Sequence, residues 1–289
     1  MEKLEARMQK RVKRVAEVCS KYGLDRQGND SLHRPNSWEF LINKQYRLIW
    51  CSVFKAASTS WMYNFNLLAG YTPEFLKKSK EDPFVLARKK YPRPSETELL
   101  TSLNDSVSFL IVRHPFERLL SAYRDKIQNA APTNTILQNL SKVIIHNFRR
   151  NKHSSLPQWP TFPEFVDYII NKIHNYRELN MHWTPITKFC TPCQVRFDII
   201  AKFETLEEDQ RYIIDKANIG HIVSPQWKNS GKGNKSTVDL LEDFYKELSE
   251  KQVKEMYELF KYDFELFDYS VGEFYRNTPE KPSTSSTSA

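Results

Sequence analysis

A single cation followed by small and hydroxyl residues marks the segment SVFKAASTSW, residues 52–61. The cation is Lys55, and five small residues follow it: Ala56, Ala57, Ser58, Thr59 and Ser60. An ammonium group, three hydroxyls and an uncrowded backbone together suit a phosphate or sulfate group. A capped helix beside a solvated lysine explains the same residues without a ligand, so this stretch alone leaves both interpretations open.

The flanking residues predict the elements that position this turn. YRLIWCSVF, residues 46–54, is apolar enough for a buried strand, and TSWMYNFNLLAG, residues 59–70, is typical of a short helix ending on a glycine. A helix N-terminus carries unpaired N–H groups that attract anions, and one of the three hydroxyl residues is expected to cap it. A Walker A loop places its lysine after glycines. This segment does not, so we expect an anion bound without an obligatory metal.

A second candidate anion site lies in SFLIVRHPFERLLSAYRDK, residues 108–126. A strand over 108–112 would deliver Arg113 at its carboxyl end, and Pro115 suits the first turn of the following helix. Ser121 lies about one and a half turns into that helix. A planar guanidinium matches a phosphate, and a nearby hydroxyl would complete the cradle.

Three apolar runs separated by helical patterns predict an α/β fold. The runs are Arg47–Phe54, Ser108–Val112 and Phe197–Phe203, and each is expected to be a buried parallel strand. Strands that alternate with helices predict a mainly parallel sheet flanked by helices. Ligands of such sheets bind at the carboxyl ends of the strands, and both candidate anion sites follow such an end.

The composition is that of a globular protein with a basic surface. The chain has 289 residues, of which 40% are hydrophobic, and a formal net charge of +8. This charge suits a nucleic acid, an anionic lipid or an acidic glycan without choosing among them. We expect a basic helix and linker over residues 1–36, a globular domain over 37–271 and a disordered tail over 272–289. No apolar run approaches the roughly 20 residues that span a bilayer.

Four cysteines leave several interpretations open: Cys19, Cys51, Cys190 and Cys193. The CTPC segment at 190–193 is compatible with a zinc half-site, a redox pair or a disulfide, and a local disulfide is expected in a secretory lumen. Cys19 and Cys51 would then form the second bridge, with a buried free Cys51 as the alternative. Four glycosylation sequons permit a secretory protein, at Asn29, Asn104, Asn139 and Asn234.

Five motifs in a fixed order resemble the Golgi carbohydrate sulfotransferases, most closely the branch of the HNK-1 and chondroitin/dermatan 4-O-sulfotransferases. The first two surround Lys55 and Arg113. The other three are HWTPITKFCTPC at 182–193, FDIIAKFETLEED at 197–209 and YELFKYDFELFDY at 257–269. The resemblance covers most of the chain. It implies a P-loop-NTPase-like sulfotransferase fold, with residues 37–271 as the catalytic domain.

The same resemblance implies in-line transfer of a sulfuryl group from 3′-phosphoadenosine 5′-phosphosulfate (PAPS) to a sugar hydroxyl, without a metal. The turn at 55–60 would hold the 5′-phosphosulfate, with Lys55 stabilising charge on the leaving oxygen. Arg113 and Ser121 would bind the 3′-phosphate. We predict His182 as the general base, because a histidine accepts a proton near neutral pH.

Several other residues are candidates for supporting roles. The alternative bases are Glu204, His146 and His153, whereas His114 is expected to be a turn residue. Trp183 is predicted to stack on a sugar ring. Lys232 and Lys235, in the loop NSGKGNKST, would close over the cofactor or lie on a plain surface. Arg118 and Arg124 are predicted to be surface cations, and the basic runs at 88–94 and 146–153 to line a groove for an acidic glycan or to be solvated faces.

The lysine turn departs from the resembled branch in a way that affects the acceptor. That branch has proline before the lysine and Gly-Cys after it, whereas this chain has Phe54 and Ala57-Ser58. The segment KAASTS is more similar to uronyl 2-O-sulfotransferases, so the acceptor stays open, with the 4-hydroxyl of N-acetylgalactosamine in chondroitin or dermatan favoured.

The expected partner is an acidic glycan rather than a nucleic acid. The expected location is the Golgi lumen, in a type II membrane protein whose anchor lies outside this chain.

Two other function classes compete with the sulfotransferase. A kinase built on the same sheet would need Mg²⁺ and bind ATP. A non-catalytic module that binds glycans or nucleic acids would use only the basic surface.

Overall fold

The computed structural model describes residues 2–150, 156–225 and 237–272. The helices are α1 Glu2–Tyr22, α2 Ser58–Leu68, α3 Pro73–Lys78, α4 Pro83–Lys90, α5 Glu96–Ser102, α6 Pro115–Tyr123, α7 Thr135–Phe148, α8 Phe162–His174, α9 Ile186–Phe189, α10 Leu206–Lys216, α11 Thr237–Tyr245 and α12 Glu250–Leu266. Within these ranges, no helix is both long enough and apolar enough to cross a bilayer.

A four-stranded sheet organises the part of the chain that carries both candidate anion sites. Its strands are β1 Phe40–Asn43, β2 Leu48–Cys51, β3 Val107–Val112 and β4 Ile199–Lys202, in that spatial order. β2, β3 and β4 run parallel, and β1 pairs antiparallel with β2. The prediction of an α/β fold with a mainly parallel sheet is confirmed. The antiparallel edge strand was not predicted.

The carboxyl ends of the parallel strands lie at one edge of the sheet. The chain passes from Cys51 into the Lys55 turn, and from Val112 into Arg113. Because β1 is antiparallel, its first residue, Phe40, pairs with Cys51 at that same edge. The strands are almost entirely buried, as their apolar sequences predict.

The chain divides into two compact units, and two of the boundaries between them fall within α6 and within α12. The first unit comprises residues 1–118, 180–232 and 262–269, and the second comprises 119–179, 233–261 and 270–289. The first unit contains the whole sheet. In the second, a capping box begins α8, with Thr161 and Glu164 each bonding the backbone of the other.

Two disulfides join distant parts of the first unit. Cys19 bonds Cys193 and Cys51 bonds Cys190, with Cα–Cα distances of 5.5 and 6.0 Å. The predicted pairs, Cys190 with Cys193 and Cys19 with Cys51, are therefore wrong, and so is the free Cys51. The fold explains the observed pairing. Cys51, the last residue of β2, lies beside Cys190, the residue after α9, whereas Cys193 lies beside Cys19 of α1.

Ion pairs with a buried carboxylate of α10, and one hydrogen bond to β4, also hold α1 in place. Asp209 has no exposed surface and accepts hydrogen bonds from Arg11 at 2.6 Å and Arg7 at 3.2 Å. Arg11 also donates to the carbonyl of Ile200 in β4, at 3.0 Å. The basic helix therefore belongs to the compact unit that contains the sheet.

Candidate active site

The turn after β2 is held in an uncommon backbone conformation. Lys55 has φ of 68° and Ala57 has φ of 59°, so two residues that are not glycine occupy the left-handed region. Such positions cost of order 1–3 kcal/mol each and cluster at ligand sites. Left-handed residues within a turn aim successive N–H groups at one point, which makes an anion-binding concavity.

The helix that follows this turn has no side-chain cap. Ala57 is the N-cap residue, and it forms no side-chain hydrogen bond because it has no polar group. The prediction that Ser58, Thr59 or Ser60 caps the helix is therefore wrong. All three instead lie in the first turn of α2, where Ser60 is buried, Ser58 is half-buried and Thr59 is exposed. A helix N-terminus without a side-chain cap is a suitable position for an anion.

Arg113 lies beside the lysine turn. Its Nη1 donates to the backbone carbonyl of Lys55 at 3.3 Å, and its guanidinium carbon lies 4.2 Å from the centre of the Phe203 ring. The side chain is 94% buried, since only 6% is exposed. The two predicted anion-binding residues are therefore neighbours at the carboxyl edge of the sheet.

Glu117 is the acidic neighbour of Arg113, but it holds the guanidinium loosely. Its Oε2 lies 3.4 Å from both Nε and Nη2 of Arg113, which is long for a charge-assisted hydrogen bond. Burial raises the pKa of Glu117, against the opposing charge of Arg113. Burial lowers the pKa of Arg113, because desolvation disfavours the charged form of either side chain. Because the hydrogen bonds of this guanidinium to the described residues are all long, 3.3–3.4 Å, it retains capacity for a bound phosphate.

Arg118 is fully buried, so its prediction as a surface cation is wrong. Its Nε donates to the carbonyl of Phe54 at 3.0 Å, and its Nη2 donates to the carbonyl of Thr184 at 2.7 Å. Burial lowers the pKa of Arg118 to about 10. One side chain therefore connects the loop that carries Lys55 with the loop that carries His182, a role that the helical spacing did not reveal.

His182 lies close to the lysine turn. Its ring centre is 4.7 Å from that of Phe54, the residue before Lys55. Its Nδ1 lies 2.6 Å from Oδ1 of Asn180, and its backbone N–H donates to the same oxygen at 3.0 Å. Because an amide oxygen only accepts, Nδ1 carries a hydrogen, and in the neutral imidazole Nε2 then carries the lone pair. This tautomer is the one that a general base at Nε2 requires.

Asn180 is a site residue that the sequence analysis missed. The signal that would have found it is the two-residue spacing in NMHWTP, because an asparagine often bonds the backbone two residues further on. Trp183, by contrast, is only 1% exposed. The prediction that Trp183 stacks on a sugar ring is therefore wrong, since its indole is part of the core.

Glu204 has both carboxylate oxygens engaged. Oε1 accepts from the backbone N–H of His114 at 2.8 Å, and Oε2 accepts from the hydroxyl of Tyr269 at 2.8 Å. Burial raises the pKa of Tyr269, and the Glu204 charge adds to this effect. His114 lies between β3 and α6, at the strand end where it was predicted, and its ring lies 5.3 Å from that of Tyr269. This cluster fixes the end of β3 from which Arg113 projects.

The other predicted site residues are Ser121, His146, His153, Lys232 and Lys235. Ser121 is half-buried in α6, and His146 is exposed in α7; both belong to the second compact unit. Their roles stay predictions. His153, Lys232 and Lys235 lie outside the described residues. In the described ranges, no cluster of three or more His, Cys, Asp or Glu residues could hold a metal ion.

Comparisons with known proteins agree on one family. Residues 38–270 match the model of the sulfotransferase family. Carbohydrate sulfotransferase 11 of Mus musculus is 31% identical over 249 residues, which cover 83% of this chain and 70% of the relative. Carbohydrate sulfotransferase 10 of Xenopus laevis is 27% identical over 275 residues, covering 91% and 76%. No solved structure matches the chain significantly.

Proposed function

Because the chain belongs to the sulfotransferase family, we propose that it transfers the sulfuryl group of PAPS to a hydroxyl of an acidic glycan. Carbohydrate sulfotransferases 8, 10 and 11 are among its relatives, which supports a sugar acceptor. The acceptor that we favour is the 4-hydroxyl of N-acetylgalactosamine in chondroitin or dermatan. The proposed location is the Golgi lumen.

One contact carries the proposal: the 3.3 Å hydrogen bond from Arg113 to the carbonyl of Lys55. It brings a buried guanidinium next to a turn whose backbone suits an anion. PAPS carries anionic groups at both its 5′ and 3′ ends, so two adjacent anion sites fit it. We assign Arg113 to the 3′-phosphate and residues 55–60 to the 5′-phosphosulfate, whereas the role of Ser121, in the second compact unit, stays a prediction.

Lys55 and His182 have different roles in the transfer, one at the leaving oxygen and one at the acceptor hydroxyl. A bond forms between the acceptor oxygen and sulfur while the bond between sulfur and the nucleotide oxygen breaks. Lys55 stabilises the negative charge that develops on that leaving oxygen. His182 takes the acceptor proton on Nε2, and Asn180 holds the ring in the required tautomer through Nδ1, at 2.6 Å.

Arg118 acts as a positioning residue in this scheme. It touches neither reacting group, but its hydrogen bonds hold the carbonyls of Phe54 and Thr184, at 3.0 and 2.7 Å. These residues lie one position before Lys55 and two positions after His182. A small misplacement of a reacting group costs a large factor in rate, so the buried guanidinium contributes by fixing two loops at once.

Transfer of radiolabelled sulfate from PAPS tests the proposal. The acceptor panel contains chondroitin, dermatan, heparan and glycans with terminal N-acetylgalactosamine. We expect labelling of at least one acidic glycan, without added Mg²⁺. A thermal-shift comparison should show stabilisation by adenosine 3′,5′-bisphosphate and less by ATP. Labelling of no acceptor, together with stabilisation by Mg²⁺-ATP alone, would favour a kinase.

A further inference from the structure

An exposed tryptophan lies at the edge of the sheet that carries the candidate active site. Trp38 is 62% exposed, in a short 3₁₀ turn, Ser37–Glu39, directly before β1. The carbonyl of Glu39 accepts from the backbone N–H of Ser52 at 3.2 Å. The turn that presents Trp38 is therefore bonded to the segment that leads into Lys55.

A cation lies against this indole. The guanidinium carbon of Arg93 is 4.6 Å from the centre of the Trp38 ring, and the hydroxyl of Ser37 donates to the carbonyl of Pro94 at 2.9 Å. Arg93 is exposed, so its planar fork of donors remains accessible to a carboxylate or sulfate. The indole remains 62% exposed despite this contact.

Arg88 makes this platform rigid. Its Nη1 donates to the carbonyl of Phe40 at 2.7 Å, and its Nη2 donates to the carbonyl of Trp38 at 3.1 Å. Its guanidinium also lies over the ring of Phe84, at 5.2 Å. The backbone of the tryptophan turn is thus fixed from the side of α4.

A line of side-chain contacts continues from this platform to the predicted base. The ring of Phe84 lies 6.2 Å from that of Phe54, and the ring of Phe54 lies 4.7 Å from that of His182. Phe54, Phe84, Arg88 and His182 are each half-buried, so each presents part of its surface. We name Trp38, Arg93, Arg88, Phe84 and Phe54 the acceptor strip.

We propose that the acceptor strip binds the sugar residues of an acidic glycan that flank the one receiving sulfate. This inference rests on the proposed function. The apolar C–H face of a pyranose packs on the electron-rich indole face of Trp38, and Arg93 pairs with the carboxylate or sulfate of the same stretch of chain. The strip supplies the exposed aromatic surface that the buried Trp183 does not.

Titration of size-defined oligosaccharides tests the strip directly, with chondroitin, dermatan and heparan decasaccharides as probes and a neutral maltodextrin of equal length as the control ligand. We expect Trp38→Ala and Arg93→Ala each to weaken binding of the preferred decasaccharide about tenfold. Trp38→Phe should retain most of the affinity, because it keeps an aromatic face. The matched control is Arg196→Ala, which removes a 65% exposed arginine just before the amino end of β4, at the opposite edge of the sheet, and should bind like wild type.

Kinetics and nucleotide binding separate this inference from the proposed function. In both strip variants we expect KM for the polymer to rise while kcat and the affinity for adenosine 3′,5′-bisphosphate stay near wild type. Binding of none of the decasaccharides by the wild-type chain, or wild-type affinity in both variants, would overturn the strip. Absence of sulfate transfer with normal decasaccharide binding that both variants weaken would instead overturn the proposed function and leave the strip in place.

Discussion

The guanidinium of Arg113 lies 3.3 Å from the backbone carbonyl of Lys55, across the boundary between two adjacent parallel strands. The two residues are far apart in sequence, and each follows the carboxyl end of its own strand. Their proximity is what turns two separate anion-binding patterns into one candidate site.

Replacement of Lys55 by alanine should lower kcat by about 10²–10³, because the leaving oxygen loses the cation that stabilises its charge. The melting temperature should change little, since Lys55 is half-buried in a turn. Steady-state sulfate transfer measures the effect. Lys44→Ala removes a 75% exposed lysine paired with Glu98, and provides the control. A Lys55→Ala enzyme with most of its kcat intact would contradict the role.

His182→Ala should lower kcat by about 10²–10⁴, the range of general-base catalysis. The wild-type rate should fall on the acidic side of its pH profile, because a protonated imidazole has no lone pair to accept a proton. Asn180→Ala should give a smaller loss, since it removes only the group that holds the tautomer. The pH–rate profile of Asn180→Ala should still fall on the acidic side, because His182 is still present. An identical acidic limb in His182→Ala would assign that limb to another group.

Glu117→Gln should bind adenosine 3′,5′-bisphosphate more tightly at pH 7, by about threefold to tenfold, because a like charge beside the phosphate is removed. Burial raises the pKa of Glu117, so wild-type Glu117 becomes neutral as the pH falls through that raised value. Wild-type affinity should therefore rise towards acidic pH and approach that of the variant. Calorimetric titration from pH 5 to 8 checks this. A constant ratio between the two proteins at all pH values would show that Glu117 does not oppose the anion.

Arg118→Met should lower the free energy of unfolding by about 3 kcal/mol, because two buried carbonyls lose their charged donor. Its kcat should fall further than its affinity for adenosine 3′,5′-bisphosphate, since both catalytic loops lose their shared anchor. Urea unfolding and steady-state kinetics measure the two effects. Arg211→Met removes an arginine that is 57% exposed, and should leave both unchanged. Loss of stability with an unchanged kcat would make Arg118 purely structural.

Features that depend on a local sequence pattern could be predicted from the sequence alone. The strand runs before Lys55 and before Arg113 were apolar and short, so the residues after them had to lie at the carboxyl edge of a parallel sheet. The α/β fold and the family followed from the same motifs. The predicted bounds of β2 and β4 were too wide, because the residues at both ends of those runs leave the ladder, whereas β3 begins one residue before its predicted start.

Other features depend on contacts between distant residues and left no local signal. Cys51 bonds a cysteine 139 positions away, and a nearby cysteine was the more obvious partner for Cys190. Arg118 resembles a surface cation in its helix, but the carbonyls that it bonds lie 64 and 66 positions away. The cap of α2 was misassigned because the left-handed backbone of Ala57 replaces a polar side chain at that position.

The most direct test of the account is the affinity of Arg113→Ala for two nucleotides that differ only in the 3′-phosphate. Wild type should bind adenosine 3′,5′-bisphosphate much more tightly than adenosine 5′-phosphate, because Arg113 holds the added phosphate. In Arg113→Ala this preference should fall to within about threefold, of the order of RT in free energy. A variant that keeps the full wild-type preference, measured by calorimetry under the same conditions, would contradict the claim that Lys55 and Arg113 hold opposite ends of one nucleotide.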